Sequence, residues 1–206
     1  MNKIKKVTVH AGHNPAGKVA CGAVGILNES KEARIITKKV IALLQKKGIE
    51  AVNCTVSNGT SQNDVLKKIC AKCNAQKDVD LNISIHFNSG AGDSKGNGKT
   101  TGTEVFVRPV SGDDSKLTKT LKTDKGDVAK RVCNQMEKLG FRKRGVKSST
   151  GLYVLNQTKA PAILIEVCFV DDKDDAKLYK KDKDAVAKAI VKAVLNHNKK
   201  VEEKKS

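Results

Sequence analysis

The stretch Ala162-Ile163-Leu164-Ile165-Glu166-Val167-Cys168-Phe169-Val170 decides how the rest of the chain is read. Its apolar run from Ala162 to Val167 has the length and residue types of a buried strand, yet it carries one carboxylate, Glu166. Burying an unpaired carboxylate costs several kcal/mol unless a charge or hydrogen bonds compensate it. A nearby metal ion, or the mouth of a cleft, would supply that compensation. So would an ion pair with one of the chain's many Lys or Arg side chains.

Outward from this strand, short apolar runs alternate with amphipathic helical patterns. Strands are expected at Ile4 to Val9, Ile49 to Val56, Leu81 to His86, Thr103 to Val107 and, briefly, Leu152 to Leu155. Helices are expected from about Glu29 to Lys47, with Asn28 as N-cap and Gly48 just past the end, and from the Ser61-Gln62-Asn63-Asp64 capping signature to about Ala75. Two more are expected near Asp127 to Leu139 and Asp182 to Asn196, and a Gly/Ser/Asn-rich loop from Asn88 to Gly102. The alternation predicts an α/β fold: a single three-layer domain with a mostly parallel twisted sheet and helices on both faces. It would occupy residues 1–198, leaving 199–206 as a charged tail, a frayed helix end or the start of a linker.

In an open α/β sheet, ligands bind beyond the carboxyl ends of the strands. Of the four His, His13 follows the first strand and His86 ends the third, whereas His197 reads as a surface residue on the last helix. Glu29 opens a helix, where the helix dipole alone would favour a carboxylate. Two imidazoles and one carboxylate are also the set that catalytic zinc favours, with a fourth position left for water.

Composition narrows the partners. The chain has 206 residues and a formal net charge of +18, from 40 Lys and Arg against 22 Asp and Glu. That charge attracts polyanions such as nucleic acid, acidic membranes or the teichoic acids of Gram-positive walls, or it merely keeps the surface soluble. Against nucleic acid stand the absence of Trp and the lack of aromatic residues among the basic ones. The six Cys are irregularly spaced and read as reduced, and Cys70-x-x-Cys73 lies mid-helix, where core packing accounts for it. No apolar stretch approaches the ~20 residues of a membrane span. The N-terminal MNKIKKVTVHAGH has too few apolar residues for a signal peptide.

Four blocks taken together resemble a known family. Thr8-Val9-His10-Ala11-Gly12-His13, Leu27-Asn28-Glu29-Ser30, Ser84-Ile85-His86-Phe87-Asn88 and Ile165 to Val170 are similar, in order and spacing, to the zinc-dependent N-acetylmuramoyl-L-alanine amidases of the type-3 family, found in autolysins and phage endolysins. Gly102 to Val107, Arg144-Gly145-Val146-Lys147 and Leu152 to Leu155 fit between them, so the resemblance runs from about residue 3 to 197. It implies one Zn²⁺ per chain held by His13, Glu29 and His86, with Glu166 as the catalytic glutamate. The family commonly has Asp where this chain has His10, so this chain lacks that Asp, and His10 is a competing ligand candidate.

The reaction so implied is hydrolysis of the amide between N-acetylmuramic acid and L-alanine in peptidoglycan. The alternatives are a zinc peptidase cutting within the stem peptide, and a non-catalytic wall-binding or nucleic-acid-binding protein. The expected enzyme is a monomer acting at the bacterial cell wall, made in the cytoplasm and released as a phage endolysin. A missing leader or wall-binding module stays open.

Overall fold

The computed structural model describes residues 1–90 and 100–204. Six strands form one sheet: β1 Lys6–Ala11, β2 Glu50–Asn53, β3 Leu81–Asn88, β4 Thr103–Val107, β5 Lys143–Ser148 and β6 Ala162–Phe169. Their order across the sheet is β2-β1-β3-β6-β4-β5. The pairs β1–β2, β1–β3 and β3–β6 are parallel, β4 runs antiparallel to β6, and β5 is parallel to β4. The expected three-layer α/β architecture is thus present, with a mixed sheet that is mostly parallel.

The alternation of residues along β3 and β6 separates the two faces. Ile83, Ile85, Ile163 and Ile165 are fully buried beneath α1 (Glu29–Lys46), α4 (Asp124–Glu137) and α7 (Lys183–Glu203). Ala162 and Leu164 point the other way, into a smaller core with Val65, Ile69, Cys70 and Cys73 of α2 (Gln62–Asn74) and Val154 and Leu155 of α5 (Tyr153–Gln157). Asn28 caps α1 by accepting from Lys31 N at 3.0 Å, and Ser61 caps α2 by accepting from Asp64 N at 3.2 Å. The six cysteines are free thiols, and Cys70 and Cys73 are core residues.

Several sequence-based expectations need correction. Leu152 to Leu155 is the entry to helix α5 and not a strand, since Val154 and Leu155 bury against α2 from one helical turn. Lys143–Ser148 forms an edge strand that its polar sequence concealed. Helix α3 (Leu117–Thr120) and helix α6 (Lys173–Lys181), the latter capped by Asp172, add to the expected set. The expected Asn88 to Gly102 loop lies in part outside the described residues.

His197 is the clearest reversal: it is fully buried and not on the surface. Asp127 on α4 draws it in, because that carboxylate accepts from His197 Nδ1 at 2.9 Å, Arg131 Nε at 2.6 Å and Lys200 Nζ at 2.7 Å. His197 Nε2 meets the Asn2 carbonyl at 2.9 Å, and Asn198 bonds both backbone groups of Ile4, so the last helix holds the first strand. Helix α7 continues through Glu203 with Val201 buried. No helix among the described residues is long and apolar enough to cross a membrane.

Asp127→Ala leaves His197 and Lys200 without their shared acceptor, and breaking a buried charge network of this kind costs about 3–5 kcal/mol. Chemical denaturation should register that loss, whereas Glu202→Ala at the exposed Lys3–Glu202 pair should cost under about 1 kcal/mol. Equal losses at the two positions would contradict the role given to Asp127.

Candidate functional site

The parallel strands β1, β3 and β6 end together, and the site lies on the α2 side of the sheet beyond those ends. The strand register places His86 of β3 directly beside Glu166 of β6, and Glu166 directly opposite Glu104 of β4. Gly12 follows the last residue of β1 and closes the other side of the row, donating to the Ile85 carbonyl at 3.2 Å. A Cβ at position 12 would stand 1.8 Å from His86 Cε1, so this glycine is required by the imidazole lying over it.

His13 reaches the same point from the loop after β1. Buried Asn14 holds that loop: its amide donates to the carbonyls of Val19 at 2.8 Å and Gly59 at 2.7 Å, and accepts from Gly59 N at 3.1 Å. Arg34 of α1 adds a bond to the His13 carbonyl at 2.8 Å. Glu29, the first residue of α1, is 4% exposed and comes in from above the strand ends. Its Oε1 lies 3.0 Å from His86 Nδ1 and 3.2 Å from His13 Nε2, and also accepts from Phe87 N at 3.2 Å. Its Oε2 accepts from Ala23 N at 2.9 Å.

Burial alone would raise the Glu29 carboxyl, but hydrogen bonds from His13 and His86 hold it well below the usual carboxylate range. The two rings meet edge-on with centroids 4.9 Å apart. His13, Glu29 and His86 each offer one donor atom within 4.8 Å of the others, which among the described residues makes them the group able to hold a metal ion. The donor set fits such an ion: His13 Nε2 and His86 Nδ1 both face Glu29 Oε1, and that carboxylate is held in its anionic form.

Glu166 belongs to this group by position and not as a ligand. Its Oε2 is buried with no hydrogen-bond partner, and the ion pair that the sequence left open does not form among the described residues. Burial, with the nearby charges of Glu29 and Glu104, pushes its pKa up to about 8. His10 stands apart from the donor group. It lies buried opposite Ser84 on the same sheet face, and burial and the charge of His86 push its pKa down to about 3.

Sequence reasoning gave no role to Asn14, Arg34 or Glu104. Asn14 and Arg34 look like ordinary loop and helix-surface residues, with no local signal. Glu104 carried the same signal as Glu166, a carboxylate inside an apolar strand, and it is the one that takes the ion pairs: Arg144 Nε at 2.7 Å and Lys147 Nζ at 2.5 Å.

Comparison with known proteins fits this geometry. The family model described as N-acetylmuramoyl-L-alanine amidase matches residues 7–196. The chain belongs to that family. This amidase-family chain is 31% identical over 204 residues to an uncharacterized protein of Clostridium perfringens, covering 96% of the chain and 53% of that protein. It is 32% identical over 181 residues to the endolysin of Bacillus phage SPP1, covering 86% of the chain and 59% of the endolysin. Among solved structures, the catalytic domain of the CD27L endolysin targeting Clostridia difficile superposes with a TM-score of 0.76 at 26% identity, covering 93% of this chain and 97% of that one. The chain therefore spans between half and three-fifths of the curated relatives' length.

The raised Glu166 pKa carries a consequence for the metal-free protein. A carboxyl whose folded pKa exceeds its unfolded value contributes stability below the unfolded pKa of 4.5 and loses it as pH rises towards about 8. Glu166→Gln should therefore stabilise the metal-free fold by about 1–3 kcal/mol at pH 8 and by little at pH 4. Thermal melts at both pH values test this, and an equal effect at each would show that Glu166 carries no buried-charge penalty.

Proposed function

We propose that this chain hydrolyses the amide joining the lactyl carbonyl of N-acetylmuramic acid to L-alanine in peptidoglycan, with zinc as the metal. The observation that carries the reading is the convergence of His13, Glu29 and His86 beside a glutamate whose Oε2 has no partner. The membership of the amidase family and the similarity to the phage endolysin support the choice of substrate.

When bound, zinc supplies a Lewis acid that polarises the carbonyl and makes water nucleophilic near neutral pH. The residues divide the remaining work. His13, Glu29 and His86 would hold the ion beyond the strand ends, and the Phe87 and Ala23 amides hold the Glu29 carboxylate in one orientation. Glu166 accepts the proton that water loses as its oxygen bonds to the carbonyl carbon. The C–N bond then breaks, and Glu166 returns that proton to the departing nitrogen. An amine leaves poorly unless it is protonated, so both transfers need a carboxyl at this place. The muramic acid keeps the new carboxylate, and the peptide leaves with a free N-terminal alanine.

We further propose that the enzyme acts at the bacterial cell wall, and that its +18 charge concentrates it on anionic wall polymers.

Digestion of purified Gram-positive peptidoglycan should release new N-terminal alanine, which disappears with a chelator and returns with zinc. Glu166→Gln should lower kcat by about 10²–10⁴. New amino ends on other residues would replace the amidase reading with a stem-peptide peptidase. Wall binding without new ends would leave a binding protein.

A further inference from the structure

The row of residues across the sheet continues past the groups that hydrolysis uses. Beyond Glu166 comes Glu104, 3% exposed, whose Oε1 accepts from Asn88 Nδ2 at 2.8 Å. Its Oε2 takes both Arg144 Nε and Lys147 Nζ. Burial would raise Glu104, but Lys147 and Arg144 hold it low, so it remains the anion that anchors both cations.

One carboxylate between two cations leaves a positive charge in excess on this side of the site. Donors are also left over. Lys147 has three N–H groups and gives one to Glu104, with 40% of its side chain exposed. Arg144 gives Nε to Glu104 and, among the described residues, adds only a long 3.5 Å contact to the Thr101 carbonyl, while its guanidinium lies over the Phe169 ring at 5.0 Å. Packing on that ring and anchoring on Glu104 fix its plane, which suits a planar anion.

The spacing selects the ligand. Neighbouring strands are about 4.8 Å apart, so two steps from His86 to Glu104 cover roughly 10 Å. Consecutive Cα atoms are about 3.8 Å apart, so a carboxylate on the second residue after the cut bond comes level with Arg144 and Lys147. We propose that these two side chains, set by Glu104, form a subsite for the carboxylate of the stem peptide's second residue. The proposal rests on the peptidoglycan reading above. It places the glycan on the β1 side and the peptide running towards β5.

Two soluble muropeptides that differ only at that residue, one with a free carboxylate and one with a carboxamide, test it by calorimetry on zinc-loaded Glu166→Gln protein. The carboxylate form should bind about tenfold more tightly, a difference of about 1.4 kcal/mol. Lys147→Met and Arg144→Gln should each reduce that preference, and Lys147→Arg should keep it. Equal binding of the two muropeptides by the protein with both cations intact would overturn the subsite, as would a preference that survives both substitutions. The comparison of ligands on intact cations needs neither variant to fold. Because binding is read without cleavage, a wild-type enzyme that cut a different bond would refute the amidase reading while leaving a carboxylate preference standing.

Discussion

The site depends on one oxygen. Glu29 Oε1 stands within 3.2 Å of an imidazole nitrogen on each of His13 and His86, and it also takes the Phe87 amide hydrogen. Three chain segments far apart in sequence meet there: the loop after β1, the first turn of α1 and the end of β3. Those contacts hold the carboxylate in its anionic form, and two imidazoles with one carboxylate are the donor set that zinc favours. The surrounding structure serves to hold these segments in register. Asn14 ties down the first loop, Asn28 starts the helix at Glu29, and Gly12 leaves room for the His86 ring.

The sheet then sets what lies beside the His13–Glu29–His86 group. Parallel pairing of β3 with β6 puts Glu166 next to His86, and antiparallel pairing of β4 puts Glu104 next to Glu166. The two glutamates are near-equivalent in sequence but opposite in chemistry, because their partners differ. Glu104 has Asn88, Arg144 and Lys147, and stays ionised. Glu166 has no such partner among the described residues, and its pKa climbs to about 8. One carboxyl anchors two cations and the other favours its protonated form. Buried Asp175 secures the rim around them, accepting from Thr101 Oγ1 at 2.5 Å and from the Gly102 and Phe169 amides at 2.8 Å each.

Much of this was legible in the sequence, for reasons that also explain the failures. The run Ala162 to Val167 announced itself because a strand covered on both faces must be apolar throughout, which made Glu166 conspicuous. His13 and His86 were visible as histidines just past strand ends. Glu29 was weaker on its own residues, since any helix start favours a carboxylate, and the family resemblance singled it out. Strand β5 stayed hidden because an edge strand reading Lys-Arg-Gly-Val-Lys-Ser has no apolar alternation to show. Helix α5 was misread because four apolar residues fit either period. His197 looked exposed beside the terminal lysines, and only the position of Asp127 on another helix, 70 residues away in sequence, reveals that it is buried. Helix α6 opens on Asp172, Asp174 and Asp175, which reads as a solvated loop until Asp175 is seen to bind the ends of two strands.

The central claim is that His13, Glu29 and His86 together make a single metal site. Calorimetric titration of zinc into the metal-free protein tests it most directly. One saturable ion per chain is expected, with affinity reduced at least about tenfold by Glu29→Gln and retained in His10→Gln. Binding that ignores Glu29, or that depends on His10 in its place, would contradict the account.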